Sequence, residues 1–330
     1  MTRKVVLLVQ PIHPAGVARL ESDFAVRVAP DPAPAALARE VADAAGIVVR
    51  TTPLPAEVIA AAPRLEGIAR TGVGVDNIDM AAATRRRIPV VVTPGANTVS
   101  VAEHVVAAMA AVARGFAQYD ARTRAGDWRV RDTLRAVDLD GKVIGIVGMG
   151  RIGRLVARKA SAAFDMRVLG YDPLLAPDAI RAAGAEPAPD LDALLAAADV
   201  VSLHVPLAPA TRGLLGREAL ARMKPSAILV NTSRGGIVDE AALAEALAAG
   251  RLLGAAIDVF DEEPVPAGHP LLALPNVLVT PHAAALTAEC AMRMAVAAAD
   301  GLAEALHGRR PPHVANPEIY AQEDRTWPIA

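Results

Sequence analysis

Near the middle of the chain, Gly148-Met149-Gly150-Arg151-Ile152-Gly153 has the spacing G-x-G-x-x-G. It follows the strand-like run Val143-Ile144-Gly145-Ile146-Val147 and opens an Ala-rich helical stretch, Leu155 to Ala163. A second strand-like run, Arg167 to Tyr171, ends in Asp172, 19 positions beyond the third glycine. In that setting the motif predicts a dinucleotide site. Gly148 permits a tight turn, Gly150 lets backbone approach a pyrophosphate, and Gly153 lets helix and strand pack closely. The helix N-terminus adds unpaired N–H groups and the positive end of its dipole. Asp172 can accept hydrogen bonds from a ribose 2′-hydroxyl and repels a 2′-phosphate; Pro173 and Leu174 follow it rather than an arginine. NAD is therefore expected over NADP.

In an open α/β sheet, ligands bind beyond the carboxyl ends of the strands. Three later strand-like runs end in chemistry-bearing residues: Asn231-Thr232-Ser233-Arg234-Gly235-Gly236, Asp258-Val259-Phe260-Asp261-Glu262-Glu263-Pro264 and Thr280-Pro281-His282. A guanidinium, a carboxylate and an imidazole are the parts needed to reduce a 2-keto acid. Planar Arg234 can grip the substrate carboxylate and polarise the neighbouring carbonyl. His282 carries an imidazole, which can supply or accept the proton that accompanies hydride transfer. Glu263 hydrogen-bonded to it would stabilise the protonated imidazole. Glu262 is the obvious competitor for that place and Asp261 a weaker one. Asp258, closer to its strand, would reach the carboxamide of the nicotinamide.

The elements that must position these residues alternate along the whole sequence. Short apolar runs at Val5-Val9, Val26-Val28, Gly46-Val49, Gly67-Ala69 and Pro89-Val92 are separated by helical stretches near 14–21, 34–44, 55–61 and 80–86. A second series places strands near 143–147, 167–171, 199–204, 227–231, 254–259 and 277–280. This rhythm predicts an α/β protein with parallel sheets covered by helices on both faces. The fingerprint belongs in the first βα turn of its domain, so the preceding segment is a separate α/β domain. A long helix over 99–112 leads between them, an arm or loop with Trp128 covers 126–139, and 288–307 is helical again.

Composition narrows the class. The chain has 330 residues, enough for two domains, and 34 basic against 36 acidic residues give a net charge of −2. That is no global basic field for nucleic acid. Hydrophobic residues make up 53%, yet they are broken regularly by charge, so a soluble, non-membrane protein is expected. Cys290 stands alone, which excludes an internal disulfide, and the seven histidines have no metal-ligand spacing, so no metal is expected. The apolar run after Arg3-Lys4 is too short for a signal peptide and is read as a first strand, making the cytoplasm the default location.

With these motifs in order, the chain resembles the D-isomer-specific 2-hydroxyacid dehydrogenase family over nearly its whole length. Arg70-Thr71-Gly72-Val73-Gly74-Val75-Asp76-Asn77 and Asn97-Thr98-Val99-Ser100-Val101-Ala102-Glu103-His104 add to the likeness. The resemblance implies that Arg234, Glu263 and His282 are catalytic, and that Val73, Gly74 and Asn97 bind substrate. It implies NAD held by Gly148, Gly150, Arg151, Ile152, Gly153, Asp172, Val205, Pro206, Thr211, Thr232, Ser233, Asp258 and Ala285. It also implies a Rossmann NAD-binding domain (101–287) inserted into a flavodoxin-like substrate domain (1–100 plus 288–330). Homodimers joined through the NAD-binding domains, with a cleft that closes over substrate, are the family's usual form. The sequence departs from the family at His282-Ala283-Ala284-Ala285, where a glycine-containing turn is frequent; extra Cβ atoms there put close backbone contact with the nicotinamide in question.

Within the family the likeness is strongest to phosphoglycerate dehydrogenases. Arg50 and Arg70 align with arginines that face the distal phosphate of the substrate in those enzymes. The expectation is a small D-2-hydroxy acid, 3-phosphoglycerate or another with a second anionic group; hydroxypyruvate or glyoxylate reduction and a non-enzymatic NAD(H)-sensing, corepressor-like role are the alternatives. Glu263 in place of glutamine argues against formate, and Val73 in place of lysine argues against phosphite. With the sequence ending soon after Asn316-Pro317-Glu318, a member without the C-terminal regulatory domain is expected.

Overall fold

A computed structural model describes residues 3–132 and 136–321. The chain divides into two compact units, one running to Asn97 and resuming at Leu286, the other spanning Thr98–Ala285. The first unit is built on strands β1 (Val5–Leu8), β2 (Ala25–Val28), β3 (Ala44–Val49), β4 (Gly67–Arg70) and β5 (Val90–Val91). All pair in parallel in the order β2-β1-β3-β4-β5, the flavodoxin-like winding. Helices α1 (Pro14–Glu21), α2 (Pro34–Glu40), α3 (Ala56–Ala60) and α4 (Met80–Arg85) make the crossovers. Prolines at the start of α1 and α2 preset the first turn, where a missing N–H costs nothing. The expected helix 34–44 stops at Glu40 because Ala44 already pairs with Val5 of β1, a tertiary pairing that outweighs the alanines' helix preference.

The second unit opens with α5 (Thr98–Ala113), α6 (Phe116–Arg124) and a 3₁₀ turn (Trp128–Asp132). The expected arm over 126–139 thus begins with a defined turn, and its residues 133–135 lie outside the described residues. Then follow β6 (Val143–Val147), α7 (Arg151–Phe164), β7 (Arg167–Tyr171), α8 (Pro177–Ala182), β8 (Glu186–Pro187), α9 (Leu191–Ala197), β9 (Val200–Leu203), α10 (Arg217–Arg222), β10 (Ile228–Asn231), α11 (Glu240–Ala248), β11 (Gly254–Ile257) and β12 (Val277–Val279). The sheet order β12-β11-β10-β9-β6-β7-β8, parallel throughout, places the turn after β6 at the point where the winding reverses. Strands β9, β10 and β11 are buried along their whole length, as a sheet covered on both faces requires. Strand β8, two residues with a proline at the sheet edge, carries too little pattern to read from sequence.

Helix α12 (Ala288–Leu306) returns the chain to the first unit. Its buried stripe of Cys290, Met294, Ala298, Leu302 and Ala305 is spaced for one helix face. Gly16 on α1 lets the two helices touch: a Cβ there would sit 2.7 Å from Ala295. Leu302, fully buried, fills the space over Gly46 and Gly67; truncating it to alanine would cost about 2–5 kcal/mol. Among the described residues no single helix is long and apolar enough to cross a membrane; α5 and α6 reach that threshold only together, across a 59° bend.

Candidate active site

The glycine turn has the form its sequence predicts. Gly148 has φ +96°, and a Cβ there would lie 2.5 Å from the His204 carbonyl oxygen. A Cβ on Gly153 would lie 2.1 Å from the Gly148 carbonyl oxygen, so the third glycine lets α7 pack against the turn. Gly150, the N-cap of α7, offers no capping side chain, and nothing lies within 4 Å of where its Cβ would be. The open cradle at a bare helix N-terminus fits a pyrophosphate. Asp172 stands beside it: its Oδ2 accepts from the Met149 N–H at 3.0 Å and its Oδ1 from the Leu174 N–H at 3.0 Å. Those two bonds aim the carboxylate while leaving acceptor capacity for a ribose hydroxyl.

Past β9, Val205 and Pro206 form the next turn, closed by Thr211, whose hydroxyl donates to the Pro206 carbonyl at 2.6 Å and accepts from the Ala208 N–H at 2.8 Å. The Thr211 hydroxyl thus shapes the loop. His204, at the same strand end, meets the Ser202 hydroxyl at 2.9 Å through Nε2, and desolvation pushes its imidazole down to about 3. It is therefore neutral at physiological pH.

Past β10, buried Asn231 ties the following turn together: its Oδ1 accepts from the Ser233 N–H and its Nδ2 donates to the Arg234 carbonyl, both at 3.0 Å. Ser233 donates to the Leu203 carbonyl at 2.6 Å. The Thr232 hydroxyl is buried without a protein partner, an orphan that a bound group would satisfy. Arg234 leaves this turn with Nη1 bonded to the Ser233 carbonyl at 2.7 Å.

Past β11 and β12 the two remaining groups meet. His282 Nδ1 lies 2.8 Å from Glu263 Oε2, and Glu263 Oε1 accepts from the Phe260 N–H at 3.1 Å. Partial burial pushes the Glu263 carboxyl up, but the hydrogen bonds from His282 and the Phe260 N–H, with the charges of His282 and Arg234, outweigh it and hold the carboxyl below its ordinary value. Glu263, rather than Asp261 or Glu262, is the carboxylate that reaches the imidazole.

His282 has φ +52°, a left-handed backbone that costs roughly 1 kcal/mol or more in a residue other than glycine. Asp258, 1% exposed, holds it there. Its carbonyl accepts from the His282 N–H at 2.8 Å, and its carboxylate accepts from the Ala283 N–H at 2.7 Å, the Ala284 N–H at 3.0 Å and the Thr280 hydroxyl at 2.5 Å. The carboxylate expected to face the cofactor is thus mostly committed to the turn. Ala283, Ala284 and Ala285 are not left-handed, so the departure from a glycine-containing turn is accommodated without backbone strain. Thr280 also meets His104 Nε2 on α5 at 3.3 Å. Asn231, Thr280 and His104 escaped prediction as positioning residues, because only the folded turn gives their side chains a partner.

In the first unit, Arg50 follows β3 and Arg70 ends β4, its strand neighbour, with Val49 in register opposite Arg70. Arg50 donates to the Pro11 carbonyl at 3.4 Å and makes no ion pair among the described residues; Arg70 donates to the Thr71 carbonyl at 2.7 Å. The Arg70 guanidinium lies across Gly72, 1.3 Å from where a Cβ would be. Val73, 46% exposed, and Gly74 form the turn after β4, and Asn97 precedes α5. Among the described residues no cluster of His, Cys, Asp or Glu could hold a metal ion.

Two α/β units, each with a parallel sheet and one of them carrying a dinucleotide fingerprint and an acid-paired histidine at its strand ends, define the class as a two-unit α/β protein with a dinucleotide-binding turn. Residues 106–284 match the family model described as D-isomer specific 2-hydroxyacid dehydrogenase, NAD binding domain. A glyoxylate reductase of Korarchaeum cryptofilum is 42% identical over 321 residues, covering 95% of this chain and 96% of that one. A D-3-phosphoglycerate dehydrogenase of Methanocaldococcus jannaschii is 41% identical over 319 residues; the match covers 96% of this chain but 60% of that longer protein. A crystal structure of a Thermus thermophilus protein superposes with a TM-score of 0.85 at 40% identity, covering 94% of this chain and 99% of that one. The chain belongs to the D-isomer-specific 2-hydroxyacid dehydrogenase family, and its second unit is the NAD-binding domain of that family.

Proposed function

We propose that the protein is an NAD-dependent dehydrogenase interconverting a small D-2-hydroxy acid and its 2-keto acid. The observation that carries this is the 2.8 Å bond between Glu263 Oε2 and His282 Nδ1, with the Arg234 charge acting on the same carboxyl. With Nδ1 tied to Glu263, Nε2 is the atom left to exchange a proton with substrate. NAD, when bound, supplies the hydride acceptor. Gly148 to Gly153 hold its pyrophosphate, Asp172 its ribose, and Val205, Pro206, Thr232, Ser233 and Ala285 line the rest. Asp258 has roughly one acceptor position left for the carboxamide after three hydrogen bonds. Arg234 holds the substrate carboxylate and polarises the carbonyl. His282 gives its proton to the carbonyl oxygen in reduction and takes one from the hydroxyl in oxidation.

Substrate binding is assigned to the first unit, with Val73, Gly74 and Asn97 on the carboxylate end and Arg50 and Arg70 on a second anionic group. Support for the latter is the adjacency of the two strand ends and the lack of an ion pair at Arg50 among the described residues. 3-Phosphoglycerate is the leading candidate. Glyoxylate or hydroxypyruvate is the second, favoured by a relative that matches end to end. We assign the protein to the cytoplasm as a homodimer joined through the NAD-binding units. Phe116 and Trp128, 57% and 68% exposed, are apolar side chains that pairing would cover. The net charge of −2 supports no nucleic-acid partner.

The test is NADH oxidation against glyoxylate, hydroxypyruvate, pyruvate, 2-oxoglutarate and phosphohydroxypyruvate. Turnover of at least one is expected; none, with tight NADH binding, would favour a sensing role instead. Unchanged kcat/KM for 3-phosphoglycerate in an Arg50→Ala, Arg70→Ala double variant would remove the distal-anion assignment.

A further inference from the structure

A second histidine–carboxylate pair stands behind the one just described. Glu240, the first residue of α11, has its Oε2 2.9 Å from His269 Nε2, while its Oε1 accepts from the Asp261 N–H at 2.8 Å. Both side chains are covered, 13% and 16% exposed. His269 Nδ1 accepts from the Leu271 N–H at 3.4 Å, which leaves Nε2 as the nitrogen that donates to Glu240. The His269 ring also stands edge-on to Phe260, with centroids 5.6 Å apart.

Phe260 and Asp261 are consecutive, and their two N–H groups go to two different glutamates. The Asp261 N–H is held by Glu240, and the Phe260 N–H orients Glu263. The same peptide lies against Gly235, next to Arg234: a Cβ on Gly235 would be 2.0 Å from the Phe260 carbonyl oxygen and 2.5 Å from the Asp261 nitrogen. A carboxylate gripping one N–H of a short loop fixes the direction of the next. We propose that Glu240 and His269 are positioning residues: they clamp the Phe260–Asp261 peptide so that Glu263 meets His282 in register. Neither touches the reacting atoms. The inference rests on the dehydrogenase reading above for its kinetic consequence, though not for its geometry.

The experiment compares Glu240→Ala, Glu240→Gln and His269→Gln with the wild type. It measures kcat on the best keto acid, NADH affinity by fluorescence, and the Glu263 carboxyl titration by carbon-13 NMR, assigned with Glu263→Gln. Glu240→Ala is expected to lower kcat by about 10-fold to 100-fold, the scale of a misplaced catalytic group, with NADH affinity unchanged. Its Glu263 carboxyl should titrate at higher pH, because the bonds that hold it down are loosened. Glu240→Gln keeps an acceptor for the Asp261 N–H but turns an amide donor toward the Nε2–H of His269, so it should restore part of kcat. Rescue of this kind separates positioning from bulk stability. Should Glu240→Ala not fold, His269→Gln carries the same expectations at smaller size. Should the wild type turn over no keto acid, the dehydrogenase reading fails while the Glu263 titration still decides the clamp. Unchanged kcat and an unmoved Glu263 titration in the folded variants would overturn the proposal.

Discussion

The NAD-binding unit holds two histidine–glutamate pairs of nearly equal length, 2.8 Å for His282–Glu263 and 2.9 Å for His269–Glu240, with opposite surroundings. The first is open to solvent, its side chains 33% and 38% exposed; the second is covered. Their carboxyls move in opposite directions. Burial raises both, but at Glu263 the hydrogen bonds from His282 and the Phe260 N–H prevail, so it stays ionised further into acid. At Glu240 burial, reinforced by the neighbouring Asp261 charge, prevails over the bonds from the Asp261 N–H and His269. Under the proposed function, an identical pair of side chains serves proton exchange where solvent and substrate have access, and loop placement where they do not. Access and surroundings make the difference.

The sharpest way to break this comparison is to delete each histidine. His282→Ala should lower kcat by about 10²–10⁴-fold in both directions with NADH affinity nearly intact. His269→Ala should lose far less. Equal losses in steady-state kinetics would mean the pairs do not differ in kind, and a large loss of cofactor binding in His282→Ala would mean the histidine belongs to the NAD site.

A single change should disturb both pairs together. Gly235→Ala puts a Cβ into the Phe260–Asp261 peptide; it should lower stability by about 1–3 kcal/mol, as overpacking does, and cut kcat as well. Denaturant unfolding alongside kinetics checks this, and a variant with wild-type kcat would detach the loop from catalysis.

Next in size is the pH dependence of rate. Keto-acid reduction needs protonated His282 and should fade at high pH, whereas oxidation of the hydroxy acid needs the neutral ring and should fade at low pH. His204, held neutral down to about 3, cannot supply either limb, so His204→Asn should leave the shape of both profiles unchanged. A lost limb in that variant would transfer the proton step to the wrong histidine.

The smallest effect is on stability, and its sign differs between the pairs. Glu263, with its folded value depressed, contributes stability that is present above the unfolded carboxylate value and lost as pH falls through the folded one. Glu240, with its value raised, favours the folded state while protonated, and that contribution is lost as pH rises through the folded value. Melting scans should therefore show Glu263→Gln closing its deficit on acidification and Glu240→Gln gaining on wild type as pH rises. Solvent screening at Glu263 and the opposing hydrogen bonds at Glu240 keep each shift to about a degree or two. Parallel trends would refute the contrast.

Much of this was legible beforehand. The glycine fingerprint, Asp172 and the residues after β10, β11 and β12 are local signals, since turn geometry and strand-end position follow from short stretches of chain. The alternation of apolar runs with helical stretches likewise announced parallel sheets, and strands β6 and β7 fall on the runs read from sequence. The choice of Glu263 over Asp261 and Glu262 rested on the family likeness and not on local pattern, because three consecutive acids differ only in the direction the loop gives each. The second pair was not legible: Glu240 and His269 are separated by 29 positions and look like ordinary surface residues until the fold joins them.

By itself, then, the sequence determined which residue types stand at strand ends, the parallel α/β class and the nucleotide turn, all set by short-range periodicity and by where glycine is sterically required. Only the tertiary structure decided that Asp258 braces His282 in its left-handed turn, that Glu263 comes within 2.8 Å of the ring, and that Glu240 holds the loop between them. Those outcomes depend on hydrogen bonds between groups distant in sequence, whose geometry exists only after the strands have been brought side by side.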